Sequence, residues 1–570
     1  MLPGAILLAF TPGARCAIKN PDTFVQINAG DVRGLEPAWG SAGPESGLVI
    51  NNVYDTLITY DGESLREYVP RVAEKVPTVK NGLASADGRT YRFPIRKGVR
   101  FHDGSELTPE DVRYSLLRMM IMDSGIGDML LEPLTGCRST RLKDGAFCPD
   151  VFKKAAAAVS IEGQDVVLRL PKPYPPILSF LAEWSYVVPK RWSIARGDWD
   201  GSEDSWHRYN QPKAEDLPLL NTENGSGPFR VGRWEKSGKQ VMLERWDGYW
   251  RGPAKLKMVI IRAIPEFGTR KLMLASGDAD SIAADVGVMS QLKGLSGVDV
   301  LEGLPSIGVQ LMRFCARINP ERNPYIGSGL LDGDGIPPNF FADRDVRLGF
   351  THAFDYEGFL RDVYKGRAKR MRGFITEGVL GYDSTLPLRE FDLAKAEMYL
   401  RRARGGDIWR RGFRLRLTYN MGSLARQLAA QMLKRNLEKL NPKFHVDYGE
   451  VDSPAFMDAW SSDRLPLMVY TAGMPFLDAH AYAQTFALTD PGHACTVVPP
   501  EFDRIGEEAL RETDPARRAA LYSRLQRLHY AEAPQQPLFQ VPVSRAQRSW
   551  VRGYYFNGMK RDDFYPISKK

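Results

Sequence analysis

Any chemistry in this 570-residue chain has to come from a thin stock of seven histidines and five cysteines, set among 69 carboxylates. The densest grouping is FHDGSELTPEDVRYSL at 101–116, where His102 adjoins Asp103 and Glu110 and Asp111 follow closely. A His–Asp pair serves proton transfer when a nucleophile or a third orienting group stands beside it, and this stretch offers neither. It reads instead as scaffold. Phe101 ends the alternating, strand-like TYRFPIRKGVR, and His102 to Ser105 has turn chemistry. Thr108 is placed as a helix N-cap and Pro109 as the first helical residue. Glu110 and Asp111 then face the positive end of the helix dipole. Apolar spacing in VRYSLLRMM carries the helix onward and inward, so His102→Asn is expected to preserve function and lower stability slightly.

Other reactive groups are scattered. His102, His207, His352, His445, His480, His493 and His529 include no pair at metal-ligand spacing on one helix, and Asp478 and His480 around Ala479 form only a weak pair. Cys137, Cys148, Cys315 and Cys495 form no C-x-x-C and no zinc spacing. Cys137 and Cys148 bracket the polar loop of LTGCRSTRLKDGAFCPD, where a disulfide suits an oxidising compartment and free thiols are equally compatible. GSGPF completes no phosphate-binding pattern, and Gly225 and Gly227 are expected to allow a tight entry into the strand FRVGRWE. With no G-x-S-x-G or comparable element, a hydrolase has no support. No metal and no cofactor are predicted.

Length bounds the architecture, since about 100–200 residues per domain implies two to four domains. Composition, 43% hydrophobic and 26% charged, is that of an ordinary globular protein. The net charge of +8 is small against 77 basic and 69 acidic residues, which gives no argument for nucleic acid. The basic runs YKGRAKRMRG and RRARGGDIWRRGFRLR read as solvated faces. No apolar run is long enough to span a bilayer. MLPGAILLAFTPGARCA has the short apolar core of a secretory signal peptide but no basic start, and Arg15 before Cys16 argues against a lipoprotein cysteine.

The opening stretch, F-H-D-G-x-x-x-T-P-E-D-V after RKGV, also resembles a hallmark of the family 5 extracellular solute-binding proteins, the dipeptide, oligopeptide and nickel receptors of ABC importers. Further blocks resemble the same family in the same order: NNVYDTLITYDGESLREYVPRVAE, ENGSGPFRVGRWEKSGKQVMLERWDGYWRG, DRDVRLGFTHAFDYEGFLRDVYKG, FDLAKAEMYLRRA and QQPLFQVPVSRAQRSWVRGYYFNG. Each is weak alone; together they span nearly the whole chain.

That resemblance implies an α/β fold, a two-lobed periplasmic-binding-protein clamshell of type II, cluster C, with an extra inserted domain. Domain I would take 20–55, 171–308 and 536–570, domain II 56–170, and domain III 309–535, with IGVQLMRFC and PLFQVPVSR crossing between lobes. The implied function is capture of a peptide or similar small organic solute in an interlobe cleft and its delivery to the permease subunits of an ABC importer. The location would be the periplasm or the outer face of the cytoplasmic membrane. The protein would be a monomer, with no catalysis, no nucleic acid and no membrane span of its own. A sensing module without transport, or a nickel or haem receptor, are the alternatives.

Ligand contacts follow from the same resemblance. Peptide-binding members place an Asp, in a segment matched here by VYTAGMPFLDAHAY, against the ligand's amino terminus; the position falls at Gly473–Met474, and Asp478 is the nearest carboxylate. Tyr54, Trp184, Tyr470 and Phe476 fall in segments that the family brings to the cleft. Arg313, on the expected hinge strand before Cys315, is the best candidate to hold a carboxylate, because guanidinium binds it through two parallel bonds. The loop KGRAKRMRGFI would add to that preference if its charges lined the mouth.

Overall fold

The computed structural model describes residues 18–39, 43–284, 287–304, 306–489, 495 and 497–570. The signal-peptide reading and Cys16 fall in 1–17 and lie outside the described residues. Two large sheets organise the chain into two lobes. The first sheet has seven strands, in the order Val298–Leu304, Val543–Arg548, Ser281–Ile282, Thr23–Asn28, Met258–Ala263, Gln240–Arg245 and Phe229–Glu235. Six strands form the second: Lys369–Arg370, Gln535–Gln540, Val309–Phe314, Leu467–Ala472, Phe413–Asn420 and Phe444–Val451. Parallel pairing at the sheet centres, as in Thr23 to Asn28 against Met258 to Ala263, goes with helices between the strands and makes both lobes α/β.

The lobes are joined twice. Val298–Leu304 in the first sheet leads to Val309–Phe314 in the second, and Gln535–Gln540 returns to Val543–Arg548. On both sides the connecting strands pair with each other, Val309 with Gln540 and Val300 with Ala546. IGVQLMRFC and PLFQVPVSR carry these strands. Apolar side chains form one cluster that runs from the first lobe into the helix Ala479–Phe486, and another inside the second lobe.

A smaller sheet, Thr90–Pro94, Asp165–Arg169 and Val159–Glu162, packs with the helix Pro109–Met122. That helix starts where the sequence places it. The Asp111 carboxylate accepts from the Thr108 amide at 2.9 Å and from its hydroxyl at 2.7 Å. Deeper along it, Arg118 is almost fully buried and donates to both oxygens of Glu36, at 2.6 and 2.7 Å, and to Asp198 at 2.5 Å.

His102 fastens this region to the GSGPF segment. Its Nδ1 lies 2.9 Å from Glu223 Oε2 and its Nε2 3.1 Å from the Gly227 carbonyl, while its amide donates to the Gly225 carbonyl at 2.8 Å. Gly225 and Gly227 are needed because the segment presses on the end of the helix Pro44–Val53: a Cβ on Gly225 would sit 1.7 Å from the Val53 carbonyl oxygen. His102→Asn therefore loses at least one buried bond and is expected to cost about 1–3 kcal/mol, more than the slight loss expected from sequence. An unchanged midpoint in chemical denaturation would contradict this buckle.

Both cysteine pairs are bonded, Cys137 to Cys148 and Cys315 to Cys495. The first is the pair that the sequence left open; the second ties the end of a crossover strand to a residue 180 positions later.

Candidate functional site

The lobes touch along the loop at 473–478, which leaves the strand Leu467–Ala472 and ends at the helix Ala479–Phe486. Trp184, at the end of the first-lobe helix Ile177–Trp184, donates its indole N–H to the Pro475 carbonyl at 2.5 Å. One turn earlier, Ser179 donates to the Leu477 carbonyl at 3.0 Å, and Phe180 meets Phe476 edge to face at 6.2 Å. Further contacts run beside these. The Arg66 guanidinium donates to the Gly378 carbonyl at 2.6 Å, Tyr482 to the Ile307 carbonyl at 3.2 Å, and Arg367 pairs with Glu302 at 2.6 Å.

Asp478 is built into this loop. One oxygen caps the following helix through the His480 amide at 2.7 Å, and both oxygens take the Arg518 guanidinium, at 2.6 and 2.7 Å. Burial beside this pair holds the His480 imidazole down at about 4. Met474 is buried and lies within reach of the Thr485 hydroxyl at 4.0 Å.

Arg313 and Tyr470 occupy the second-lobe wall. On Val309–Phe314, side chains alternate: Val309 and Leu311 belong to the cluster that continues into the first lobe, Met312 and Phe314 to the second-lobe interior. Arg313 shares the face of Val309 and Leu311, and its cross-strand neighbour Met468 is in that same cluster. Its guanidinium lies 5.3 Å from the Trp460 ring centre, and Trp460 stands edge-on to Tyr470 at 4.8 Å. Burial raises the Tyr470 hydroxyl above its usual range, while Arg313, which hydrogen-bonds it, pulls the other way.

Tyr54 is set apart from these. It caps the helix Pro44–Val53 and lines a cavity of about 30 Å³ inside the first lobe with Asp55, Arg71, Tyr186, Tyr249 and Lys560, room for a water or two. Burial pushes the Asp55 carboxyl up despite Arg71 and bonds from Tyr249 and Trp250. The basic loop at 365–375 spends its charges locally: Lys369 pairs with Glu377, Arg370 with Glu357, and Arg372 donates to the Leu386 carbonyl. Trp184, Met474, Phe476 and Asp478 are thus brought together, Arg313 and Tyr470 form a second group, and Trp460, Ser179, Phe180 and Arg518 are partners that sequence reasoning did not name. No local motif marks those four; only the packing of distant segments does.

Among the described residues, the one His, Cys, Asp and Glu group close enough to share a cation is Cys315, Asp463 and Cys495, and its two sulfurs are bonded to each other.

Comparison with known proteins bears on what such an arrangement is for. The family model described as "Bacterial extracellular solute-binding proteins, family 5 Middle" matches residues 67–493. The probable D,D-dipeptide-binding periplasmic protein DdpA of Escherichia coli (strain K12) is 25% identical, over 98% of this chain and 96% of its own. Heme-binding protein A of Haemophilus influenzae (strain ATCC 51907 / DSM 11121 / KW20 / Rd) is 23% identical over 96% and 92%. Among solved structures, the periplasmic binding protein DppA from Helicobacter pylori in complex with the peptide STSA superposes with a TM-score of 0.73 at 20% identity, covering 96% of this chain and 98% of that one.

Proposed function

The chain belongs to the family 5 bacterial extracellular solute-binding proteins, and from that premise we propose that it captures a peptide or similar small organic solute between its lobes for an ABC importer. It is a binding protein, not an enzyme. The observation that carries the reading is the seam at Trp184, Ser179 and Phe180, where side chains of one lobe close on the 473–478 loop of the other. The chain crosses between the lobes twice, so a hinge at these two crossings can open that seam without unfolding either sheet. A solute contacting both walls favours the closed form by its difference in affinity for the two states. No helix among the described residues is long and apolar enough to cross a membrane, so delivery falls to separate permease subunits.

We assign the first lobe to domain I, at 20–55, 171–308 and, because Gln535–Gln540 pairs in the second sheet, the part of the expected 536–570 that follows residue 540, the small sheet to domain II, and the second lobe to domain III. The contact set is Trp184, Met474, Phe476, Tyr470 and Arg313, with Tyr54 behind the first-lobe wall and Asp478 shaping the loop. The test is to purify the protein without refolding, compare native and denatured masses, and titrate emptied protein with pooled di- and tripeptides. A released organic solute, or saturable binding that Trp184→Phe weakens, is the expected result. An empty protein that binds no pool would sink the reading.

A further inference from the structure

We propose that the first lobe holds a small monovalent anion, of the size of chloride, between Arg71 and Lys560. The site lies outside the interlobe cleft, and the inference does not rest on the solute reading above.

The cavity that Tyr54 lines carries it. Distant segments build its charged wall: Asp55 follows the helix Pro44–Val53, Arg71 follows the strand Tyr68–Pro70, and Lys560 and Asp563 come from near the end of the chain. The rest of the lining is Asn51, Pro228, two threonines and five tyrosines. The sign of a ligand here depends on which charged groups still have bonds to give. Both carboxylates are well engaged. Asp55 accepts from the Tyr249 hydroxyl at 3.2 Å and the Trp250 indole at 3.0 Å, and Asp563 from the Tyr555 hydroxyl at 2.9 Å and the Tyr565 amide at 3.0 Å. A metal cation entering the cavity would have to break these bonds and would meet two resident cations.

Those two cations are held loosely. Arg71 has five N–H donors, and its side chain reaches only the Tyr249 hydroxyl, at 3.4 Å, and Asp563, at 3.8 Å. Lys560 lies over the Tyr186 ring and reaches the Ala182 carbonyl at 3.4 Å and Glu183 at 3.6 Å. All four contacts exceed the length of a strong charge-assisted bond, about 2.7–2.9 Å. Both side chains are nearly buried, at 17% and 10% exposed, so the missing bonds are costly and an acceptor placed between them is favoured. Arg251 acts through space on Asp55 and Arg561 on Glu183, so four cations surround Asp55, Asp563 and Glu183 and one positive charge is left to match. The volume of about 30 Å³ admits about two waters, which suits a halide and is too small for gluconate. Lys560 also ties the ion to the helix Ile177–Trp184, whose last residue donates across the seam.

The test uses the unsubstituted, full-length protein in two ways. Crystals grown in sodium bromide are expected to show an anomalous peak in contact with both the Arg71 and the Lys560 side chains. In solution, thermal unfolding is compared in sodium chloride and sodium gluconate at equal ionic strength, and chloride at several times its Kd is expected to raise the midpoint by about 2–4 °C over gluconate. Lys560→Met together with Glu183→Gln, which removes both charges of that pair, is expected to erase the difference. The two measurements on the unsubstituted protein decide the matter even if the variant fails to fold. Ordered water in place of bromide, or bromide at surface arginines alone, an adventitious ion only, would overturn the inference. So would midpoints that are equal in chloride and gluconate. Neither measurement involves the solute, so each of these failures leaves the receptor reading standing.

Discussion

Replacing Arg118 with methionine is expected to cost about 3–5 kcal/mol of folding stability, the usual loss when one partner of a buried ion cluster is removed. Glu36 and Asp198 would be left charged with their shared cation gone, in surroundings where their side chains are 0% and 3% exposed. The three residues come from a connecting segment, the helix Pro109–Met122 and the 195–205 loop, so the loss falls on the junction of the small sheet with the first lobe. Urea unfolding measures it directly. Changing Glu36, Arg118 and Asp198 together to apolar residues of similar volume is expected to recover much of the stability, because none of the three charges then remains buried. A single-variant loss below about 1 kcal/mol, the range of exposed pairs, would show that water reaches the cluster.

Acid is the second large lever. Burial holds His480 down at about 4, with Asp478 raising it and Arg518 lowering it. His529, against Phe374 and near Arg389 and Arg347, is held at about 3, again by burial first. Both imidazoles take a proton near pH 6.5 in the unfolded chain, and neither does so in the folded protein until the pH is far lower. Across that interval the unfolded state binds more protons. Stability is therefore complete above about pH 6.5 and falls as pH drops toward 4, by about 1.4 kcal/mol per pH unit for each histidine. Unfolding free energies at pH 7, 6, 5 and 4.5 should show the combined slope, and His480→Gln with His529→Gln should remove it. A flat profile in the parent protein would mean that these rings are hydrated.

Much of the fold was legible because local chemistry and global shape agree. Thr108, Pro109 and Asp111 announce a helix start, and the structure shows the cap that their side chains make. Gly225 and Gly227 read as a tight entry into a strand, and their close approach to the Val53 carbonyl was not legible. The six ordered blocks gave the family, which the match over 67–493 shows. The second disulfide was within reach of counting: with Cys137 and Cys148 paired and Cys16 near the start, Cys315 and Cys495 are what remains. Nothing local says that residues 180 apart meet, and so it was missed. Side-chain partners at the seam were harder for the same reason. Asp478 was named only as the carboxylate nearest the expected position, and sequence alone does not show that Arg518, 40 positions later, takes it. The basic run at 364–373 read as a solvated face, and the fold supplies Glu302, Glu357 and Glu377 as partners for Arg367, Arg370 and Lys369.

The placing of Val543–Arg548 also fixes an order of assembly. It lies inside the first sheet, between Val298–Leu304 and Ser281–Ile282, although it is nearly the last strand to be made. Every strand of the second sheet, by contrast, has been made by residue 540. A chain that emerges from its amino end can finish its second lobe while the first still waits for its interior strand. The lobe that begins the sequence is thus the last to become whole, and until its final residues arrive it exposes unpaired strand edges open to mispairing or to a protease.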